Sequence, residues 1–269
     1  MYNTRRMMKE WLYLHEPEPC KGSWNMAVDD YLFQNLSEAP ETCLRFYSWE
    51  RPTVSLGYSQ KIEKVLDEDF CRANGIDIVR RLTGGKLVLH FREVTYSLCS
   101  SDAALFTNTL KGSYRLISQG LIAGLKKMGI SAALSKPPPE AYVRGNLPCF
   151  SYPAEDEIEV KGRKIVGSAQ KRTEGKFLQH GSIPLVYEEQ PLLAVSRLQN
   201  SVDKVRMISI SEVLDRPMDF NKAVTFLSQG LKEFFSISLK PFVFDATQMK
   251  EIKALQEKRH ENPDWLYLR

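Results

Sequence analysis

The chain has 269 residues and a mass of 30.9 kDa, enough for one large domain or one domain with a modest appendage. Hydrophobic residues make up 43% and aromatic residues 10%, so a real core can be buried, while 26% charged residues keep the surface hydrated. A mean hydropathy of -0.33 and the lack of any long apolar run exclude a spanning helix. Met1–Cys20 has no apolar stretch of secretory-signal length. The formal charge of +4 decides nothing by itself: a nucleic-acid binder usually shows a denser basic stripe with a recognisable motif, and a mildly basic surface equally suits an acidic protein partner. The basic residues gather locally instead, at Arg80–Arg81 and at Lys161, Arg163, Lys164, Lys171 and Arg172.

In chain order, Ser23–Leu36 reads as a short helix with Ser23 as its N-cap. Strands follow over Cys43–Tyr58, interrupted at Pro52. A helix over Asp67–Asn74 ends at Gly75, and Ile76–Val79 leads as a strand into Arg80-Arg81-Leu82-Thr83-Gly84-Gly85-Lys86. Leu87–Leu98 reads as one further strand. The clearest helix is Leu110–Met128, where Tyr114, Ile117, Leu121, Leu125 and Met128 recur every three or four residues before Gly129. Ser135–Pro148, with three consecutive prolines, is a mobile loop. Glu157–Val160 and Arg163 onward form a hairpin about Lys161–Gly162, and Leu178–Leu185 is another strand. Beyond about residue 195 the pattern turns helical, with Ala223, Leu227, Leu231 and Phe234 on one face and a last helix near Thr247–Lys258. Strands in the middle flanked by helices make an α+β domain with a helical tail.

Three segments carry residue types that need a reason. Gly84–Gly85 between two strands allows close backbone approach to a ligand, with Arg81 and Lys86 adding positive charge. The plain alternative is a hairpin turn with solvated arginines. Lys164 precedes apolar Ile165–Val166 and then the small residues Gly167-Ser168-Ala169. A lysine turned into such a cleft is partly desolvated and favours a thiolate or a developing oxyanion. Its alternative is an exposed hairpin lysine. Five cysteines are present, with no zinc or CxxC spacing, and they read as reduced thiols of a cytoplasmic protein. Cys43 and Cys99 look like core filler, and Cys20 and Cys71 have no basic segment nearby. Cys149, in a loop, is the best nucleophile candidate of the five, its plain alternative being a structural cysteine. His180 is either an acid/base or a satisfied structural histidine.

Taken together, RRLTGG followed by a strand and His90, the Cys149–Phe150 pair, VKGRKIVGSAQKR and LQHGSIPL resemble the lipoate–protein ligase A/octanoyltransferase family. Within it the pattern is most similar to the cysteine-dependent octanoyltransferases. Asn25-Met26-Ala27, Pro52–Tyr58 and Asp264–Trp265 fit as well, so the resemblance spans about residues 10 to 269. It implies the biotin/lipoate-ligase catalytic fold: a large mixed, mostly antiparallel sheet, a small sheet and outer helices. It implies one catalytic domain over 1–269, its core about 10–195, with a helical extension about 196–269.

The resemblance also implies roles. Cys149 matches the acyl-accepting cysteine and Lys164 the lysine that contacts the acyl carbonyl. Arg81, Gly84, Gly85, Lys86 and His90 match one wall of the acyl tunnel, and Gly167, Ser168, Ala169, His180 and Gly181 the other. Val88, Ile165 and Val166 are candidates for the apolar slot. The implied reaction moves an octanoyl group from octanoyl-acyl carrier protein to a lysine of a lipoyl domain or glycine cleavage H protein. It needs no cofactor, metal, nucleic acid or membrane. Two positions depart from the family pattern: Phe91 follows His90 where an aspartate is usual, and Lys86 stands at the third position of the glycine run. The rival readings are an ATP-dependent lipoate–protein ligase, a non-catalytic carrier-binding homologue and, more remotely, a biotin ligase.

Overall fold

The strand-forming runs assemble into two sheets in a computed structural model that describes residues 9–36, 41–106, 109–136, 156–173, 175–197 and 207–269. The strands are β1 (Lys9–His15), β2 (Thr42–Tyr47), β3 (Thr53–Leu56), β4 (Asp77–Arg80), β5 (Val88–His90), β6 (Glu93–Ser100), β7 (Ala133–Leu134), β8 (Ile158–Val160), β9 (Arg163–Thr173), β10 (Lys176–Pro184) and β11 (Ile237–Pro241). The helices are α1 (Gly22–Asn35), α2 (Ile62–Val65), α3 (Glu68–Ala73), α4 (Leu110–Lys127), α5 (Glu189–Val195), α6 (Ile210–Leu214), α7 (Phe220–Phe235), α8 (Ala246–Leu255) and α9 (Pro263–Leu266). The large sheet has the order β11-β1-β2-β6-β10-β9-β8-β7, and the small one β4-β3-β5. Neighbours are parallel at the β11–β1–β2 end and antiparallel through the rest of the large sheet. This is the mixed, mostly antiparallel sheet with a smaller companion that the family resemblance implies.

The period-two alternation of the central strands decides which helices cover which face. Leu44, Phe46, Tyr96 and Leu98 point to one side, into a core shared with Ile117, Leu121 and Leu125 of α4 and Leu227 and Leu231 of α7. Cys43, Cys99 and Leu178 point to the other, against Ala27, Val28 and Leu32 of α1. β2 and β6 are therefore buried along their whole length.

Helix α4 starts where Thr109 Oγ1 accepts a hydrogen bond from Gly112 N at 3.1 Å and stops at Gly129, whose φ of 89° suits glycine. It crosses α7 with almost no gap. A Cβ built on Gly230 would lie 2.1 Å from Gly124 N, and one on Gly124 would lie 2.7 Å from Leu227 Cα. Because both obstacles are backbone, a methyl group can be accommodated only by moving a helix. Gly230→Ala is therefore expected to cost about 1–3 kcal/mol of stability, read as a lower midpoint in urea unfolding with the m-value unchanged.

Several elements differ from the sequence reading. α1 begins after Lys21 with no side-chain cap; the Ser23 hydroxyl instead donates to Glu261 Oε1 at 2.9 Å. Leu87–Leu98 is two strands, because Arg92 takes a left-handed turn (φ 49°) that sends β5 to the small sheet and β6 to the large one. Phe234 is 40% exposed; the four-residue spacing from Leu231 selects Phe235, whose ring lies 4.9 Å from Trp11. The strands β1 and β11 were not foreseen. β11 is a short strand inside the stretch read as helical, and it pairs with β1. The last long helix, α8, gives way to a π-helical turn over Gln256–His260. Of the proline-rich loop, residues 137–148 lie outside the described residues. No described helix is long and apolar enough to cross a membrane.

Candidate active site

The β8–β9 hairpin turns through Lys161 (φ 50°) and Gly162 (φ 75°), the two positive values that a tight two-residue hairpin demands. Just after it the register slips: Ile158 pairs with Val166 and Glu159 with Lys164, leaving Ile165 as an extra residue. Such a bulge re-aims the neighbouring side chains. Lys164 is turned inward, its Nζ 2.5 Å from Glu157 Oε1, and each of the two side chains is only 10% exposed. Glycine at 167 makes room for it, since a Cβ there would sit 3.1 Å from Lys164 Cε. At Gly181 a Cβ would meet Ser168 Oγ and Tyr96 Cε1, both at 2.6 Å. Small residues thus hollow out the surface of β9 and β10.

The facing wall is the small sheet and the loop Thr83–Lys86. Its arginines are not solvated turn residues: Arg80 is 1% and Arg81 5% exposed. Arg81 spends all five N–H groups on the loop and its neighbours. Nη1 donates to Ser55 O (2.8 Å) and Ser55 Oγ (2.9 Å), Nη2 to Gly84 O (3.0 Å) and Lys86 O (2.8 Å), and Nε to Thr83 Oγ1 (3.2 Å). Arg80 does the same for a more distant part of the chain. It donates to the carbonyls of Gly57, Tyr58 and Gln60 and, with two nitrogens, to that of Leu266 in α9. Trp265 Nε1 returns a bond to Arg80 O at 2.9 Å, which gives Trp265 of the motif set its place.

Between the walls lies a cavity of about 110 Å³. Ten of the predicted site residues line it: Arg81, Gly85, Lys86, His90, Lys164, Gly167, Ser168, Ala169, His180 and Gly181. Gly84 is exposed at its rim and serves as an acceptor for Arg81. Cys149 lies outside the described residues. Of the expected apolar slot, Val88 lines the cavity, but Ile165 and Val166 belong to the main core under α4. The bulge is the reason, since it spends the apolar pair on the core side. The hydrocarbon lining comes instead from Met26, Tyr47, Trp49 and Met207.

Two histidines of this cavity share one arrangement. His90 has Glu93 Oε1 at 2.8 Å from Nδ1 and Ser55 Oγ at 2.7 Å from Nε2, and it stacks on Trp49 at 4.0 Å. His180 has Asp29 Oδ2 at 3.0 Å from Nδ1 and Thr83 Oγ1 at 2.7 Å from Nε2. Arg81 donates to both hydroxyls. Behind His180, Arg45 is fully buried, its Nη1 2.7 Å from Asp29 Oδ1 and its Nε 2.5 Å from Glu16 Oε2.

Burial pushes the His180 pKa below its ordinary value, outweighing the pull of Asp29. Asp29 is itself held below the usual carboxylate range: burial pushes it up, but Arg45 and the His180 hydrogen bond win. Both groups bind protons more weakly folded than unfolded, so stability is present above the unfolded histidine value and is lost as the pH falls below it. The Tm is expected to drop on acidification below about pH 6.5, and a flat Tm between neutral and mildly acid pH would contradict the buried His180–Asp29 pair.

The described cysteines have no such activating surroundings. Burial pushes Cys43 up to about 12 and Cys71 up to about 11, and holds Cys99 well above its ordinary value. Cys20 is also raised, by burial and then by Glu16. These four are thiols, not thiolates, at neutral pH.

Comparison with known proteins bears on this arrangement. The family model for the lipoyl protein ligase A/B catalytic domain matches residues 21–232. The chain belongs to that family. The octanoyltransferase LipM of Bacillus anthracis is 36% identical to it, covering 96% of this chain and 98% of the relative. LipM of Lysinibacillus sphaericus is 34% identical, covering 96% and 99%. Among solved structures, lipoate-protein ligase A bound with ATP superposes with a TM-score of 0.80 at 21% identity, covering 97% of this chain and 100% of that one. A putative lipoate protein ligase from T. acidophilum with bound lipoic acid gives 0.78 at 20%, covering 97% and 100%. At such identities the solved structures speak for the lipoyl protein ligase A/B fold.

Four residues in and around this cavity went unread in the sequence. Asp29 is an acid on an otherwise buried helix face, and that misplaced charge was the available signal. Glu93 and Trp49 lie on strands whose register alone brings them to His90. Glu157 was read only as the start of a hairpin strand. The two-residue turn that follows places it beside Lys164.

Proposed function

We propose that this chain is an octanoyltransferase of protein lipoylation that works through a Cys149 thioester. The Cys149 thiolate adds to the thioester carbonyl of octanoyl-acyl carrier protein. The bond to the carrier's thiol breaks, and that thiol departs with the proton Cys149 gave up. The exchange is close to isoenergetic and draws on no nucleotide. A lysine amine of a lipoyl domain or glycine cleavage H protein then attacks the new thioester. An amide forms, the Cys149–acyl bond breaks, and the leaving sulfur takes the amine's proton. Each tetrahedral oxyanion needs a positioned donor, and Lys164 supplies it.

The observation that carries this reading is the buried Lys164 at the wall of a largely hydrocarbon cavity, locked to Glu157. Cys149 stands eight residues before Glu157, a tether of at most roughly 29 Å. The raised thiols of Cys20, Cys43, Cys71 and Cys99 favour it further as the nucleophile. The curated relatives' name matches the transfer.

The test is to mix the protein with octanoyl-carrier protein, without nucleotide, and weigh it intact. An octanoyl adduct on the Cys149 peptide, discharged by an apo lipoyl domain, is expected. Transfer that appears only with ATP and free octanoate would overturn the reading in favour of a ligase.

A further inference from the structure

The cross-strand register of the large sheet leads from the Lys164 amine to the apolar end of the cavity. A Cβ built on Gly167 would lie 3.5 Å from Lys164 Nζ, and Gly167 pairs with Ser182, Ser182 with Thr95 and Thr95 with Tyr47. Paired residues share a face, so three strand intervals put Tyr47 roughly 14 Å from Gly167. An octanoyl tail laid from Lys164 toward Tyr47 and Trp49 stays within this cavity, since its seven carbon–carbon bonds of about 1.5 Å reach no further. A second hollow of about 200 Å³ meets the cavity at the amine end: Val88, Ser182 and Met207 line both. Ser182 is the partner of Gly167, and Met207 forms a bridge with Lys164. What remains of a thioester donor at that end is its sulfur side, the carrier's pantetheine arm.

The lining of the second hollow fits such an arm. Asn74, Arg92, Tyr187 and Glu188 bring an amide, a guanidinium, a phenol and a carboxylate, while Leu89 and Leu192 supply hydrocarbon. A pantetheine arm has a matching mixture, two amides and a hydroxyl on a chain that also carries a pair of methyl groups. The Tyr187 hydroxyl is buried and has no hydrogen-bond partner among the described residues, an arrangement that stays costly until a ligand group completes it.

We propose that the second hollow holds the pantetheine arm of the donor. The thioester then lies across the junction, with its carbonyl at Lys164, its tail toward Tyr47 and its arm among Leu89, Tyr187 and Leu192. The proposal rests on the acyl-transfer reading above and deepens it by naming where the carrier's arm is recognised.

The test loads the protein from two small thioesters, octanoyl-pantetheine and octanoyl-mercaptoethanol, which share the acyl group and differ in the arm. The second-order rate of acyl-enzyme formation, followed by intact mass, is expected to favour the pantetheine thioester by about tenfold or more. Tyr187→Phe removes one hydroxyl and keeps the ring, and is expected to cut that preference by about three- to tenfold. Leu192→Trp fills the hollow and is expected to abolish the preference. No preference in the unaltered protein overturns the proposal, as does a preference that survives both substitutions. Failure of the acyl-transfer reading would look different: the unaltered protein would then form no octanoyl adduct, without nucleotide, from either thioester or from octanoyl-carrier protein.

Discussion

Cys149→Ser is expected to abolish the acyl-enzyme and to lower transfer to a lipoyl domain by roughly 10⁴-fold or more, in line with the loss of other catalytic nucleophiles. A thiol with an ordinary pKa of about 8.5 is already a few per cent thiolate at neutral pH, whereas a serine hydroxyl has no comparable ionised fraction and no adjacent base assigned to it. Any residual oxygen ester would also differ chemically, resisting the neutral hydroxylamine that cleaves a thioester. Intact mass before and after hydroxylamine distinguishes the outcomes. An undiminished, hydroxylamine-sensitive adduct on the serine variant would move the nucleophile elsewhere.

Lys164→Ala is the second large effect, about 100- to 1,000-fold in the acylation rate. In the proposed transfer the buried amine meets a demand that exists only while negative charge sits on the carbonyl oxygen, so its loss is expected to fall on kcat more than on KM. Glu157→Gln keeps the shape and loses the charge that fixes the lysine at 2.5 Å; an intermediate loss, on the order of tenfold, is expected. Pre-steady-state acylation with each variant checks the order. A Lys164→Ala enzyme with an unchanged burst rate would remove the amine from the chemistry.

The sequence made the site more legible than the fold around it. Gly84–Gly85, Lys164 and Gly167-Ser168-Ala169 stood out because glycine runs and buried cations are costly to place without a use. The structure brings Gly85, Lys164 and Gly167-Ser168-Ala169 to one cavity. What stayed hidden depended on register. Ile165 and Val166 read as slot residues until one extra residue in β9 committed them to the core. Phe234 and Phe235 are equally apolar, and the helical phase against Trp11 chooses between them. β11 is five residues long and becomes a strand by pairing with β1, a partner more than 220 residues away in the chain. No local pattern announces such a pairing. Glu93 and Asp29 went unread, and their burial beside His90 and His180 becomes visible only in three dimensions.

The grip of Arg80 on Leu266 has a consequence for the order in which the fold closes. Two of the bonds that satisfy this 1%-exposed guanidinium end on a carbonyl 186 positions later in the chain. Pairing of β4 with β3 still leaves that guanidinium short of these two bonds until α9 docks against it. Closing so long a span of chain is entropically costly, so this contact is expected to form late in folding.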